Sequence, residues 1–164
     1  MSIYQKHFNI QSAARPTFED VTEKVQEILS ESEIKNGLLV VFSQHTTCSV
    51  IIQEAADDIN YYGTELLMQD LVNVFEKIIP TCLTEGQYLH PGPEHIVAAA
   101  GRDELPSWSL NTDAHLRSVI LGRSVTIPVA DSTMILGEFG RIYFADFDQV
   151  RARERFVRVH IIGE

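Results

Sequence analysis

The stretch GLLVVFSQHTTCSVII, from Gly37 to Ile52, decides how this chain folds. One apolar run occupies residues 37–42 and another occupies 50–52, and the polar sequence His45-Thr46-Thr47-Cys48-Ser49 lies between them. Apolar runs that follow a glycine and contain β-branched residues are typical of buried strands. Polar side chains at such a junction need partners, because burying them alone costs free energy. The stretch therefore predicts one long strand or two, bent at a polar junction that builds a site or caps a turn.

Helical spacing of apolar residues predicts three main helices. Residues 17–33 read as an amphipathic helix with Thr17 as its N-cap. Residues 55–79 read as a second helix that Pro80 ends. Thr112 to Leu121 reads as a short third helix that Gly122 closes. The segment 81–111 has little hydrophobic periodicity and is predicted to be mostly loop. Its sequence allows a short helix at 94–100.

Extended, β-branched runs fill most of the remaining sequence. They predict strands at 3–10, 124–130, 133–137, 141–147 and 155–162. We expect the late strands, 124–162, to form one continuous antiparallel sheet. The fold class is therefore α+β, an antiparallel sheet or sandwich with two main helices and a short third helix. Residues 1–164 are expected to form a single domain.

Composition limits the partners and the cellular location. The formal net charge of −10 argues against a nucleic-acid partner, which needs surplus Lys and Arg. No apolar run approaches the roughly 20 residues of a membrane span, so no membrane partner is expected. The first residues lack the apolar region of a secretory signal, and the two cysteines, Cys48 and Cys82, form no CxxC motif. A cytoplasmic protein is expected.

An ordered set of short sequences resembles the YjbQ-type family of small, largely uncharacterised proteins. The similar elements are Gly37-Leu38, Gln44-His45-Thr46-Thr47, Glu54-Ala55-Ala56-Asp57, Tyr88-Leu89-His90, Asp113-Ala114-His115, Leu121-Gly122, Leu136-Gly137 and the ending from Phe147-Asp148 to Glu164. The resemblance implies an α+β fold, a homotrimer, and a polar site near subunit interfaces that can hold a metal ion. It also implies the thiamine-phosphate synthase activity ascribed to some members.

Two departures from the family pattern touch the presumed pocket. Glu138-Phe139-Gly140 stands where members usually carry Thr-Trp-Gln, and the segment 58–111 is expanded. Both bear on which substrate the chain takes, and less on its fold.

Three histidines are candidate metal ligands. His45 follows a strand, His90 lies in a glycine- and proline-rich loop, and His115 lies in the first turn of a helix. Imidazole suits Zn²⁺, and a site assembled from separate elements is expected to draw on such positions. Any one histidine is more often a hydrogen-bonded structural residue. With the resemblance, we expect the three to converge on one divalent metal ion, Zn or Mg.

Three acidic residues are candidates for the same site. Asp113 either caps the third helix or acts as an orienting group or base near His115. Glu54 and Asp57 either form a charge pair at a helix N-terminus or supply a base and a substrate or Mg²⁺ contact. We assign His115, Asp113 and Glu54 as catalytic and Asp57 as substrate-binding.

Hydroxyl and guanidinium groups complete the predicted substrate site. Thr46 and Thr47 are candidate donors to a ligand, and Arg151 is the first of three alternating arginines, with Arg153 and Arg155. These arginines either form a solvated strand face or bind an anion. Cys48 reads as a small buried residue rather than a nucleophile.

Three functions of different classes remain from the sequence. The preferred one is a metal-dependent small-molecule enzyme that acts on a phosphorylated substrate, resembling thiamine-phosphate synthase, a pyrophosphate-releasing transferase. The alternative is a non-catalytic metal- or anion-binding trimeric protein. The third is an interaction scaffold without chemistry.

Overall fold

Two antiparallel sheets and four helices build the fold, and the predicted α+β class is confirmed. The computed structural model describes all residues, 1–164. Its strands are β1 (Ser2–Ser12), β2 (Thr17–Asp20), β3 (Gly37–Ser43), β4 (Cys48–Glu54), β5 (Ser124–Ala130), β6 (Thr133–Met134), β7 (Gly140–Asp146) and β8 (Arg153–Gly163). Its helices are α1 (Thr22–Ser32), α2 (Leu66–Ile78), α3 (Pro93–Ala100) and α4 (Thr112–Leu121), with a 3₁₀ turn at Pro106–Ser109.

The larger sheet has the order β1-β8-β3-β5-β6, and the smaller has the order β2-β7-β4. The stretch from Gly37 to Ile52 thus supplies one strand to each sheet, and the polar junction is where the chain crosses between them. In the larger sheet, Leu39 lies opposite Ile161 on one side and Ile127 on the other. All three are buried, because alternate residues of these strands face the same core.

Strand β7 is covered on both faces. Successive side chains of β7 point to opposite faces of its sheet, and each face packs against a different hydrophobic core. Ile142 and Phe144 belong to the main cluster, which they share with Val50 and the buried face of α1. Ala145, with Phe147 just after the strand, belongs to a second cluster that also contains residues of α2 and α4. Helices α2 and α4 therefore pack on the outer face of the small sheet. No helix is long and apolar enough to cross a membrane.

Four predictions about secondary structure and sheet arrangement are corrected by the structure. Thr17 is no helix cap, because residues 17–20 pair with β7. The second helix begins at Leu66, because the preceding segment is held in a turn by the Ile59–Glu65 bridge. The late strands do not form one sheet, because β7 pairs with β2 and β4 while β8 pairs with β1 and β3. The chain has four α-helices where three were expected, although α3 falls on the short helix that 94–100 allowed.

Candidate functional site

The polar junction forms one wall of a cavity of about 330 Å³, called here the histidine pocket. Helix α4 and the loop before it form the facing wall, and the start of β8 forms the floor. The lining residues are Gln44, His45, Thr46, Thr47, His95, Glu104, Trp108, Ser109, Asn111, His115, Arg153 and Arg155. The polar junction therefore shares one cavity with Asn111 and His115, which lie at the start of α4.

Hydroxyl groups join β4 to α4 and so fix this geometry. The Ser118 hydroxyl donates to the Cys48 carbonyl at 2.6 Å, and the Ser49 hydroxyl donates to the Ser118 carbonyl at 3.3 Å. All three residues are buried, and Cys48 is confirmed as a buried thiol whose pKa is raised mainly by that burial. The small polar residues of the junction thus serve to dock α4, which carries His115.

His45 is held by its contact with β8. The Phe156 backbone N–H donates to Nε2 of His45 at 2.9 Å, and the two rings stack with centroids 6.1 Å apart. Burial, followed by the nearby Arg155 charge, lowers the pKa of His45. The ring is therefore neutral at pH 7, and its accepting Nε2 requires the proton to sit on Nδ1.

His115 lies on helix α4 and lines the same cavity. Burial lowers its pKa, and a hydrogen bond to the Thr46 backbone acts in the other direction by favouring the protonated ring. A neutral imidazole has one N–H donor and one unprotonated acceptor nitrogen. The pocket thus contains His45, whose donor nitrogen is fixed as Nδ1, and a second ring, His115, whose neutral form is favoured by burial.

Two further histidines lie next to His115. The His90 ring centroid is 4.6 Å from that of His95 and 5.8 Å from that of His115. The Thr112 hydroxyl donates to the His90 carbonyl, so Nδ1 of His90 is the donor in its 2.9 Å hydrogen bond with that hydroxyl. Burial and then the neighbouring His95 lower the pKa of His90.

A buried ion-pair network supports the floor. Arg155 bonds to Asp146 at 2.7 Å and to the Thr47 hydroxyl at 3.1 Å, and Arg153 pairs with Asp148 at 3.0 Å. Both aspartates are fully buried. Removing one partner of such a network leaves an uncompensated buried charge, so substitutions of these floor residues should be strongly destabilising.

The structure does not bring all predicted site residues to this pocket. Glu54 is exposed at the far end of β4, six residues from Cys48, which is roughly 20 Å along a strand. Asp57 lies beyond it and is exposed. Asp113 is buried, but its carboxylate accepts from the Cys82 backbone N–H at 3.1 Å and faces Arg117. Arg151 does not line the cavity and lies 3.7 Å over the Trp108 ring.

Sequence reasoning missed several lining residues. These residues, His95, Glu104, Trp108 and Ser109, come from the segment 81–111. That segment carries little periodicity, so no pattern pointed to them. The alternation of Arg153 and Arg155 did give a usable signal, because residues two apart on a strand share a face.

The residues present do not fit the predicted metal centre. No group of three or more His, Cys, Asp or Glu side chains lies in a geometry that could hold a metal ion. His45, His90 and His115 therefore do not converge as one ligand set, since His45 is turned to Phe156 and His90 to Thr112.

Fold and pocket together define a two-sheet α+β protein with a polar, histidine-lined cavity. The chain belongs to the UPF0047 protein YjbQ-like family, whose model matches residues 6–164. A UPF0047 protein of Methanothermobacter thermautotrophicus is 30% identical over 164 residues, which cover 100% of this chain and 95% of the relative.

Solved structures agree with this assignment. A hypothetical protein from Aeropyrum pernix K1 is 31% identical, with a TM-score of 0.74 and coverage of 98% of this chain and 99% of that one. A YbjQ-like protein of unknown function from Sulfolobus solfataricus P2 has a TM-score of 0.75 at 23% identity, covering 99% of both chains, and shows the shared fold.

These findings correct the predicted function. A metal-dependent enzyme of the thiamine-phosphate synthase type is wrong for this chain, because the chain matches a UPF0047 family of unknown function, nothing among its matched members shows such an activity, and no three-ligand metal group exists. The metal-binding alternative fails for the second reason. The divalent cofactor as such, Zn or Mg, stays a prediction that elemental analysis of purified protein would measure.

Proposed function

We propose that the histidine pocket binds a small polar organic molecule, to which Nδ1–H of His45 donates a hydrogen bond and from which the unprotonated nitrogen of His115 takes up a proton and later returns it, without a metal ion. The observation that carries the proposal is that His45 and His115 line one cavity and that the Phe156 N–H occupies Nε2 of His45. His45 is therefore left with Nδ1–H as a donor, and burial, which lowers the pKa of His115, favours the neutral ring with one unprotonated nitrogen.

The surroundings of the two rings support this role. General acid–base chemistry works best when the pKa of the group lies near the working pH, and a general base must be unprotonated there. Burial keeps both rings neutral, and the volume of about 330 Å³ is at the lower end of the range for small-molecule pockets. Of the predicted catalytic residues, His115 remains in the proposal, whereas Asp113 and Glu54 do not.

The test is a binding screen by nuclear magnetic resonance on protein with ¹⁵N-labelled histidine rings, treated with a chelator. A panel of small acids, amides, alcohols and sugars is added one at a time. We expect at least one compound to shift the His45 and His115 ring signals and to lose affinity in His45→Ala and His115→Ala. The exposed His7→Ala and His160→Ala variants are matched controls that should bind normally. A panel that shifts neither pocket histidine would contradict the proposal.

Self-association as a homotrimer also stays a proposal, as does the cytoplasmic location. Exposed apolar side chains on the outer faces of α2 and α4 support association: Leu67, Val74, Ile78, Val119 and Ile120. Apolar surface of this kind commonly marks an interaction site. Sedimentation at micromolar concentration should give three times the chain mass, and a stable monomer or dimer would refute the trimer. The two free, buried cysteines are compatible with a reducing compartment.

A further inference from the structure

The segment 89–104, called here the lid, lies at one side of the histidine pocket and is bound weakly to the rest of the protein, called the body. It contains α3, and its backbone hydrogen bonds beyond that helix, such as those from Arg102 and Glu104 to the Ala99 carbonyl, stay within the segment. Pro91 and Ala99 are its only buried residues. Helix α3 packs mainly against the 3₁₀ turn that follows the lid in the chain. A segment with so little burial and no backbone bonds to its surroundings is expected to open locally at low free-energy cost.

Three polar contacts join the lid to the body. The Thr112 hydroxyl at the start of α4 donates to the His90 carbonyl and accepts a 2.9 Å hydrogen bond from Nδ1 of His90. On the other side, the Arg151 guanidinium lies 3.9 Å from the Glu104 carboxylate. Glu104 pairs more closely with Arg102, at 3.2 Å, but that pair lies within the lid. The lid is therefore tied to the body by one hydroxyl and one guanidinium group.

The lid forms part of the pocket and covers one of its histidines. His95 and Glu104 line the cavity from the lid, and all the other lining residues belong to the body. The His90 ring packs edge-on against His115 of the body, with the ring centroids 5.8 Å apart. Movement of the lid would therefore remove one wall of the pocket and uncover His115.

We propose that the lid opens to admit a ligand to the histidine pocket and closes over it, with Thr112 and Arg151 holding the closed form. The inference rests on the proposed function for its ligand and adds the control of access to the site. A ligand that touches the body histidines and also His95 and Glu104 makes its full set of contacts only in the closed form. Such a ligand shifts the population toward that form. Closure also excludes water from the site of proton transfer.

The test measures the access of a reagent to His115 in the full chain. Diethyl pyrocarbonate modifies unprotonated imidazole nitrogens, and mass spectrometry of the digested protein gives the modification rate of each histidine at pH 7.5. Thr112→Val removes the hydroxyl at nearly constant shape, and Arg151→Met removes the guanidinium. Arg102→Met is the matched control, because it removes a guanidinium from the same Glu104 carboxylate without breaking a contact between lid and body.

Two residues outside the pocket serve as internal references. His7 is exposed on β1, so its modification rate should be the same in every variant. Cys48 is 0% exposed, so alkylation of its thiol by iodoacetamide reports unfolding of the whole domain. A rise in the His115 rate at a constant Cys48 rate is therefore local opening.

Thr112→Val and Arg151→Met should each raise the modification rate of His115 about threefold or more, because the loss of one ordinary hydrogen bond or ion pair changes a population by about that factor. Arg102→Met should keep the wild-type rate. An unchanged His115 rate in either lid variant would overturn the inference. An equal rise in Arg102→Met, or a rise that Cys48 alkylation follows, would overturn it as well.

Ligand binding tests closure separately. Arg102 is the one Lys or Arg in the lid, so tryptic cleavage after it reports lid opening. Any compound that shifts the His115 ring signal in the binding screen should slow this cleavage. Binding with an unchanged cleavage rate would overturn closure of the lid and leave the proposed function standing. Absence of binding by every compound would instead overturn the proposed function, whereas the modification rates would still decide whether the lid opens.

Discussion

The Phe156 backbone N–H donates a 2.9 Å hydrogen bond to Nε2 of His45, and this bond joins the junction between the two sheets to strand β8. This bond explains why a polar run interrupts two apolar strands. The chain leaves the larger sheet at this run and enters the smaller one. At the crossing, the His45 side chain accepts a hydrogen bond from the backbone of β8. The same bond fixes Nδ1 as the donor nitrogen of His45.

The burial of His45 makes the stability of the protein depend on pH. Burial and Arg155 lower the pKa of folded His45, while the unfolded chain has the ordinary value of about 6.5. The stabilising contribution of the neutral ring is therefore fully present above about pH 6.5 and is lost as the pH falls from there through the folded pKa. Urea unfolding at pH 7.5 and pH 5.5 should show a smaller free-energy difference in His45→Asn than in the wild type. His160→Asn, on exposed β8 surface, is the control, and an unchanged difference in His45→Asn would contradict this reading.

Arg117 should be the costliest charged residue to remove. Its side chain is 0% exposed, and it donates to the Ile79 carbonyl at 2.7 Å and to Glu76 at 2.8 Å, next to Asp113. Arg117→Met leaves the Ile79 carbonyl without its donor and the buried Asp113 carboxylate without its neighbouring cation, so the free energy of unfolding should fall by about 3–5 kcal/mol. Glu76 is 41% exposed, and Glu76→Gln should cost no more than about 1 kcal/mol. Equal losses for the two variants in urea titrations would show that burial does not decide the cost.

Gly37 is required by close packing between β3 and β8. A Cβ at this position would overlap the Ile162 carbonyl oxygen and press on Gly163, and both are backbone atoms that cannot turn aside. Gly37→Ala should therefore lower the free energy of unfolding by about 1–3 kcal/mol or more. Gly92→Ala is the matched control, because its nearest neighbour would be 3.8 Å away. The prediction fails if both variants melt at the wild-type temperature.

Elements specified by local sequence patterns were predicted correctly. The prediction failed where an element depends on pairing with a strand that is distant in the sequence. Thr112–Leu121 has the predicted bounds because its apolar spacing and Gly122 act within the helix, and Gly122 has a φ of 85°. Thr17 is a good N-cap residue by type, but pairing with Asp146 across the fold overrides that preference. No local pattern shows that β7 inserts between β2 and β4.

The same distinction applies to the candidate site. The junction at His45 was recognisable because polar residues interrupt an apolar run, and His115 because its cluster precedes a helix. Glu54 was misplaced because the sequence could not show that residues 48–54 continue as a straight strand away from His45. Ser109 and Trp108 reach the pocket only through the path of an irregular segment, which depends on tertiary contacts.

The central claim is that His45 presents Nδ1–H as a fixed donor and that His115 is a neutral ring with an unprotonated nitrogen. Long-range ¹H–¹⁵N correlation of labelled histidine rings, recorded on chelator-treated protein at pH 7.5, reports directly which nitrogen carries the proton. The account predicts that His45 is protonated only at Nδ1 and that His115 is a single neutral tautomer with one unprotonated nitrogen. A His45 ring protonated at Nε2, or rings that average between tautomers at both positions, would contradict it.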